Sequence, residues 1–228
     1  MRTFLTRLAS VRFCVALTLL FRMCSMDVIA ANHQELLTSV AQGNTAEVAR
    51  LLGEGANVND KGRSEEANNA FFAAIQKGHK YIVELFIANG VDVNFRDANG
   101  ITALIVAGTF ADQEVLHLLL KEKANVQARN AEGYGVLHFS IANPYTDVMA
   151  RLVAAGARVN MRSTKTGATP LHIAAKEGHL EAVQWLVAHG ADLNPRDKSG
   201  RTAVMLALES NQGILAKMML TKGGCCRA

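Results

Sequence analysis

The chain has 228 residues with 24 basic and 20 acidic side chains, a formal net charge of +4, but its first thirty residues hold four Arg against one Asp. The remaining 198 residues carry 20 basic and 19 acidic groups, a net charge of +1, which is enough chain for a sizeable core and excludes a Lys/Arg stripe of the kind that predicts nucleic-acid binding. Cys14 and Cys24 lie near the start and Cys225 and Cys226 at the end, so the body between them tolerates an oxidising compartment without demanding one.

The chain opens with Arg2, Arg7 and Arg12 ahead of the apolar run Phe13–Phe21, and no acidic residue precedes Asp27. A basic segment followed by a short apolar one predicts a signal peptide over residues 1–30, cut near Ala31, and hence an exported protein, periplasmic or secreted. Bounded by Arg12 and Arg22, the run falls short of the roughly 20 apolar residues of a membrane span, so no stable span is expected once the leader is removed. Arg22 and the lack of a clean small-x-small cleavage site leave an organelle-import leader, an uncleaved anchor and a mis-assigned start codon open.

From residue 33 onward two landmarks recur. A Gly stands two residues ahead of each expected first helix at Gly100, Gly133, Gly167 and Gly200, in steps of 33, 34 and 33. An ending of the form Gly-Ala-x-Val-Asn begins at Gly55, Gly90, Lys123, Gly156 and Gly190, in steps of 35, 33, 33 and 34. Two registers agreeing on a period near 33 point to stacked helical units, here 33–60, 68–97, 98–130, 131–163, 164–197 and 198–223, with 224–228 as a tail.

The first unit offers Leu36, Val40, Val48, Leu51 and Leu52 to a core, and Gln34, Glu35, Gln42 and Asn44 as the polar cover of an end unit. Residues 60–69 read as a polar loop insertion where later units have a hairpin. The second unit contributes Phe71, Phe72, Ile75, Ile82, Val83, Phe86 and Ile87. In the fourth, Asn143-Pro144-Tyr145 replaces the usual Gly-His between helices, so its turn differs. Glu209, Asn211, Gln212, Lys217 and Lys222 give the last unit partial polar cover.

The fifth unit is the most regular. Thr169 is placed to cap its first helix by accepting a backbone N–H bond, and Pro170 at the first helical position gives up a donor that had no partner. After a turn at Gly178-His179, Leu180, Val183, Leu186 and Val187 supply one apolar face, and Gly190 stops the second helix. Asp197-Lys198-Ser199-Gly200, Asp97-Ala98-Asn99-Gly100 and Asn130-Ala131-Glu132-Gly133 are turn chemistry that predicts hairpin tips. One such unit cannot bury its apolar face alone. The expected fold class is therefore an all-α repeat solenoid of stacked helix-turn-helix units with β-hairpin-type loops.

The segment from Gly167 to Val183, with Thr-Pro-Leu-His-x-Ala at residues 169–174, resembles the ankyrin-repeat family, and the resemblance extends over about residues 33–223. It is diluted elsewhere: Thr102-Ala103-Leu104-Ile105 and Thr202-Ala203-Val204-Met205 lack Pro and His, and Gly135-Val136-Leu137-His138 lacks Thr and Pro. The resemblance implies a non-catalytic scaffold for protein partners, expected to be a monomer. The alternative is a substrate-recruiting or inhibitory accessory subunit of an enzyme system.

Motifs for catalysis are missing: there is no His-Glu-x-x-His, Cys-x-x-Cys, Gly-x-Ser-x-Gly or phosphate-binding loop. His138 and His172 fall at the family's structural position in the first helix, and His79 and His179 in the inter-helix turn, where they satisfy backbone groups rather than bind a metal. Arg227 stands where a prenylation box at Cys225 needs an aliphatic residue. No catalytic residue, cofactor or metal is expected.

In the family's geometry the residue after each hairpin Gly and the last residue before the inter-helix turn project from the concave side. These give one ladder of Ile101, Tyr134, Ala168 and Arg201, and a second of Lys77, Phe110, Asn143 and Glu177, with Lys176 beside Glu177. Ile101, Phe110 and Tyr134 are apolar or aromatic at such positions and are candidate anchors for a protein partner. The competing reading is that Phe110 and Ile101 tuck into the array.

Overall fold

The computed structural model describes residues 34–56, 70–110, 112–142 and 146–224. The expected leader, the polar insertion 60–69, Asn143-Pro144-Tyr145 and the Cys225-Cys226 tail lie outside these described residues. Among them, helices come in pairs: α1 (34–41) with α2 (Thr45–Gly53), α3 (Ala70–Gln76) with α4 (Lys80–Ala88), and α5 (Ala103–Phe110) with α6 (Gln113–Lys121). α7 (Val136–Phe139), prolonged by a 3-10 turn over Ser140–Ala142, precedes α8 (Thr146–Ala154). α9 (Pro170–Glu177) pairs with α10 (Leu180–Ala188), and α11 (Ala203–Glu209) with α12 (Gly213–Thr221). The chain is an all-α repeat solenoid.

Some helices start on a side-chain cap, whereas those beginning at Lys80, Leu180 and Gly213 have none. The Asp112 carboxylate accepts from the N–H groups of Glu114 and Val115 at 3.0 and 2.9 Å, and Asn44 accepts from Glu47 at 3.2 Å, so free amides at α6 and α2 are satisfied. Thr202 does the same for Met205 at 3.3 Å. Thr169 departs from its expected role. Its hydroxyl lies 2.8 Å from His172 Nδ1 and makes no hydrogen bond to a helix amide, because the imidazole has turned back to take the Thr169 N–H at 3.2 Å.

Second helices end where the backbone turns left-handed. Gly55, Gly90, Gly156, Gly190 and Gly223 hold that position with φ between +79° and +99°, but in the third unit it falls to Lys123 at φ +60°. There a Cβ crowds the following carbonyl, a cost that Gly avoids.

The core runs through every pair. Phe71, Ile75 and Phe86 are fully enclosed, as are Leu104, Leu116, Leu119, Met149, Leu171 and Leu186 in later units. First helices pack on one another more intimately than second helices do. Their facing residues are small: Ala74, Ala103, Ala107, Ala174, Ala175, Ala203 and Ala207 are all buried, and Gly108 leaves room for Val136, whose Cγ2 would lie 2.7 Å from a Cβ at 108. Small side chains let helix axes approach closely, whereas the Leu, Val and Phe of the second helices hold theirs apart. The row of first helices is thus the inner, concave side.

Between units the chain forms narrow hairpins. Asp97 N–H bonds to Ile101 O at 3.0 Å, Asn130 to Tyr134 O at 2.9 Å, Ser163 to Ala168 O at 2.8 Å and Asp197 to Arg201 O at 2.8 Å. Isolated antiparallel bridges pair Arg96 with Thr102 and Arg129 with Gly135. Each tip also bonds to its neighbour: Ala131 N–H to Asn99 O at 2.7 Å, Lys165 to Glu132 O at 3.0 Å and Lys198 to Thr166 O at 2.8 Å. The tips form one connected row beside the helices.

Candidate functional site

The surface to examine is the inner row of helices with its hairpins. Phe110, the last residue of α5, has 49% of its surface exposed and meets no aromatic ring among the described residues. Lys77, Lys176 and Glu177, at or beside the matching positions of other units, are exposed and charged, with Lys176 and Glu177 paired at 3.4 Å. Phe110 therefore places an apolar ring where Lys77 and Glu177 carry charge in their own units.

The other candidates are held by the scaffold. Ile101 is half-buried against the core. Tyr134 is half-buried, its hydroxyl 2.9 Å from Thr166 Oγ1 in the next hairpin and its ring edge-on to His138 and Phe139 at 5.1 and 6.3 Å between centroids. Arg201 clasps the buried Asp197 carboxylate through Nη2 and Nε at 2.9 and 3.1 Å, and reaches Glu209 at the end of α11 at 3.4 Å. Asn143 lies outside the described residues. Tyr134 thus meets aromatic partners of its own unit and not Phe110, so the three candidate anchors do not form one aromatic cluster.

Of the four histidines expected to serve the backbone, His138 and His172 do so, whereas His79 and His179 make no side-chain bond to the helices they precede, and His79 Nε2 is buried without a hydrogen-bond partner among the described residues. His138 Nδ1 accepts from Gly135 N–H at 3.1 Å and Nε2 donates to Ala168 O at 3.2 Å; His172 likewise links Thr169 N–H to Arg201 O, at 3.2 Å on each side. Burial pushes the His138 imidazole down to about 4, and burial also lowers His172. Both rings are committed to holding one unit against the next. No group of three or more His, Cys, Asp or Glu able to hold a metal occurs among the described residues, and no helix there is long and apolar enough to cross a membrane.

A feature the composition concealed runs beside the hairpins. Arg96 Nη2 donates to Arg129 O at 2.5 Å, Arg129 Nη1 to Arg162 O at 2.7 Å, and Arg162 Nη2 to Arg196 O. Four Arg, spaced 33, 33 and 34 residues apart, thus share one flank. One residue per unit barely moves the net charge, so only counting in the repeat register would have found them.

Paired helices of this length, joined by hairpins whose tips bond to one another, define a class of stacked-repeat scaffold whose surface serves protein–protein interaction. A family model for ankyrin repeats, in three copies, matches residues 36–130 and 137–227, and the chain belongs to the ankyrin-repeat family. It is 32% identical over 159 residues to the tyrosine-protein kinase Shark of Drosophila melanogaster, covering 69% of this chain and 17% of that protein. Rabankyrin-5 of Homo sapiens is 30% identical over 156 residues, 67% of this chain and 13% of its own length. Ankyrin repeat and KH domain-containing protein mask-1 of Caenorhabditis elegans is 36% identical over 128 residues, 56% of this chain and 5% of that protein. The chain spans less than a fifth of these relatives.

Proposed function

We propose that the chain is a non-catalytic, monomeric binding scaffold, exported by residues 1–30, that docks a protein partner on its inner face with Phe110 as the anchor. The observation that carries this reading is the half-exposed Phe110 ring in a rim otherwise charged at Lys77, Lys176 and Glu177. Desolvating such a ring against a partner is worth far more than desolvating the charges around it, and rigid aromatics are the usual centres of binding energy. Ile101 and Tyr134 support the anchor by stiffening the hairpins around it.

The test is affinity capture with the wild-type chain and Phe110→Ala, with bound protein quantified. Truncating the anchor should weaken capture by about 2 kcal/mol, roughly thirtyfold. Equal capture by the two forms overturns the assignment of Phe110. Export is tested separately: the exported protein should begin near Ala31, and Met1 at the N-terminus of exported material refutes it.

A further inference from the structure

We propose that the arginine row formed by Arg96, Arg129 and Arg162 receives an extended acidic segment of a partner protein, with one carboxylate at every third residue. This rests on the reading of the chain as a protein-binding scaffold but uses a different surface from Phe110.

Three observations carry it. First, a unit-to-unit bond of this kind does not need a charge. Two residues ahead of Arg129 and Arg162, neutral amides donate to carbonyls of the following unit: Gln127 Nε2 to Gly156 O, and Asn160 Nδ2 to Gly190 O at 3.0 Å. Second, Arg96 and Arg162 commit one nitrogen each to a backbone carbonyl, Arg129 shares one between Arg162 O and Gly133 O, and none of the three pairs with a carboxylate among the described residues. A guanidinium has five N–H donors in a fork suited to carboxylate, so most remain for a ligand. Third, the groups lie low against the hairpins: a Cβ at Gly100 would stand 2.9 Å from Arg96 Nη2, and one at Gly167 3.2 Å from Arg162 Nη2. The positive potential also reaches inward, since Arg129 and Arg162 each add to the lowering of the neighbouring His138 and His172.

Spacing selects the partner. Units stack about 10 Å apart, and like charges at that distance are only partly screened where the Debye length is about 8 Å, so an anionic ligand relieves a standing repulsion. A polyproline II segment rises about 3.1 Å per residue with three residues per turn, which returns a side chain to the same edge every 9.3 Å or so. A β-strand repeats near 6.7 Å and misses the step. An α-helix meets it only every seventh residue, at about 10.5 Å, and needs about 15 residues to reach three arginines where the extended segment needs about seven. Nucleic acid is disfavoured because the aromatic rings nearest the row, Phe95 and Tyr134, are packed on Phe72 and on His138 and Phe139 and offer no stacking platform for bases.

The experiment measures binding of the full chain to synthetic peptides by calorimetry at low and high salt. The probe is (Glu-Pro-Pro)4, compared with an isomer carrying the same four Glu in one block, a helical peptide with Glu at every seventh residue, and a 12-nucleotide single-stranded DNA. The in-register peptide should bind at least about tenfold tighter than the block isomer, and Arg129→Gln with Arg162→Gln should abolish that preference in a chain whose circular dichroism shows it still folded. Arg129→Lys with Arg162→Lys should keep part of it, and Phe110→Ala all of it. Equal binding of the two Glu-Pro isomers, tighter binding of the helical peptide or the DNA, or full affinity in the Gln variant overturns the proposal. Should the Gln pair unfold, the isomer preference of the wild-type chain and its loss with salt decide the matter alone. Loss of partner capture by Phe110→Ala with peptide binding intact would separate the two surfaces.

Discussion

His138 donates through Nε2 to the carbonyl of Ala168 at 3.2 Å, 30 residues further along and in the next unit, while its Nδ1 accepts from Gly135 at 3.1 Å. A ring used as donor on one side and acceptor on the other must be neutral with its proton on Nε2. A second proton would turn the acceptor against the amide it serves.

Stability should therefore fall with acid in a defined window. The folded chain holds His138 neutral down to about 4, whereas an unfolded His takes its proton near 6.5. Between these values the unfolded state binds more protons, so the contribution is complete above pH 6.5 and is lost as pH drops towards 4, by about 3 kcal/mol in order of magnitude. His172, also lowered, acts in the same direction. Urea midpoints at pH 7.5, 6 and 4.5 should decline more steeply for the wild type than for His138→Gln; parallel profiles would remove His138 from the account.

Lys123→Gly should stabilise the chain. Lys123 sits at φ +60° where five other units or half-units use Gly, and an L-residue there costs roughly 1–2 kcal/mol, only partly offset by the extra freedom of Gly in the unfolded chain. A gain of about 0.5–1 kcal/mol in chemical denaturation is expected, and a loss would contradict the strained-turn account.

Gly108 gives a prediction whose sign reverses with its neighbour. Gly→Ala inside a helix usually gains about 1 kcal/mol, but a Cβ at 108 would meet Val136 Cγ2 at 2.7 Å, and overpacking of that kind costs about 1–3 kcal/mol. Gly108→Ala should destabilise the wild type and stabilise the Val136→Ala chain. A double-mutant cycle measures the difference directly.

Tyr134 and Phe110 should behave as opposites in unfolding. Tyr134→Phe removes the bond to Thr166 across the hairpins and should cost about 1 kcal/mol, while Phe110→Ala, half-exposed already, should change stability by less than about 0.5 kcal/mol. Thermal scans of the two variants check this without any partner.

The repeat register was legible because Gly and the apolar residues report on their own unit. The Gly landmarks at 100, 133, 167 and 200 all take positive φ, and Leu36, Val40, Phe71, Phe86, Val183 and Leu186 are buried as their spacing implied. What joins one unit to the next was not legible. Thr166 as the partner of Tyr134 and Arg129 O as the acceptor for Arg96 lie 32 and 33 residues away, and no local pattern marks a side-chain bond at that distance. Thr169 failed as a cap for the same reason: its environment includes an imidazole whose orientation is set by Arg201 O in the following unit.

The side-chain bonds that tie neighbouring units together span only 29 to 34 residues, from Gln127 with Gly156 to Arg162 with Arg196. Their loop-closure entropy is nearly the same at every junction, so no single long-range closure dominates the search for the folded state. Folding can begin at whichever adjacent pair of units first closes and spread by zipping in both directions. Refolding rates should then respond by similar, modest amounts to substitutions at each junction, with no one junction setting the rate.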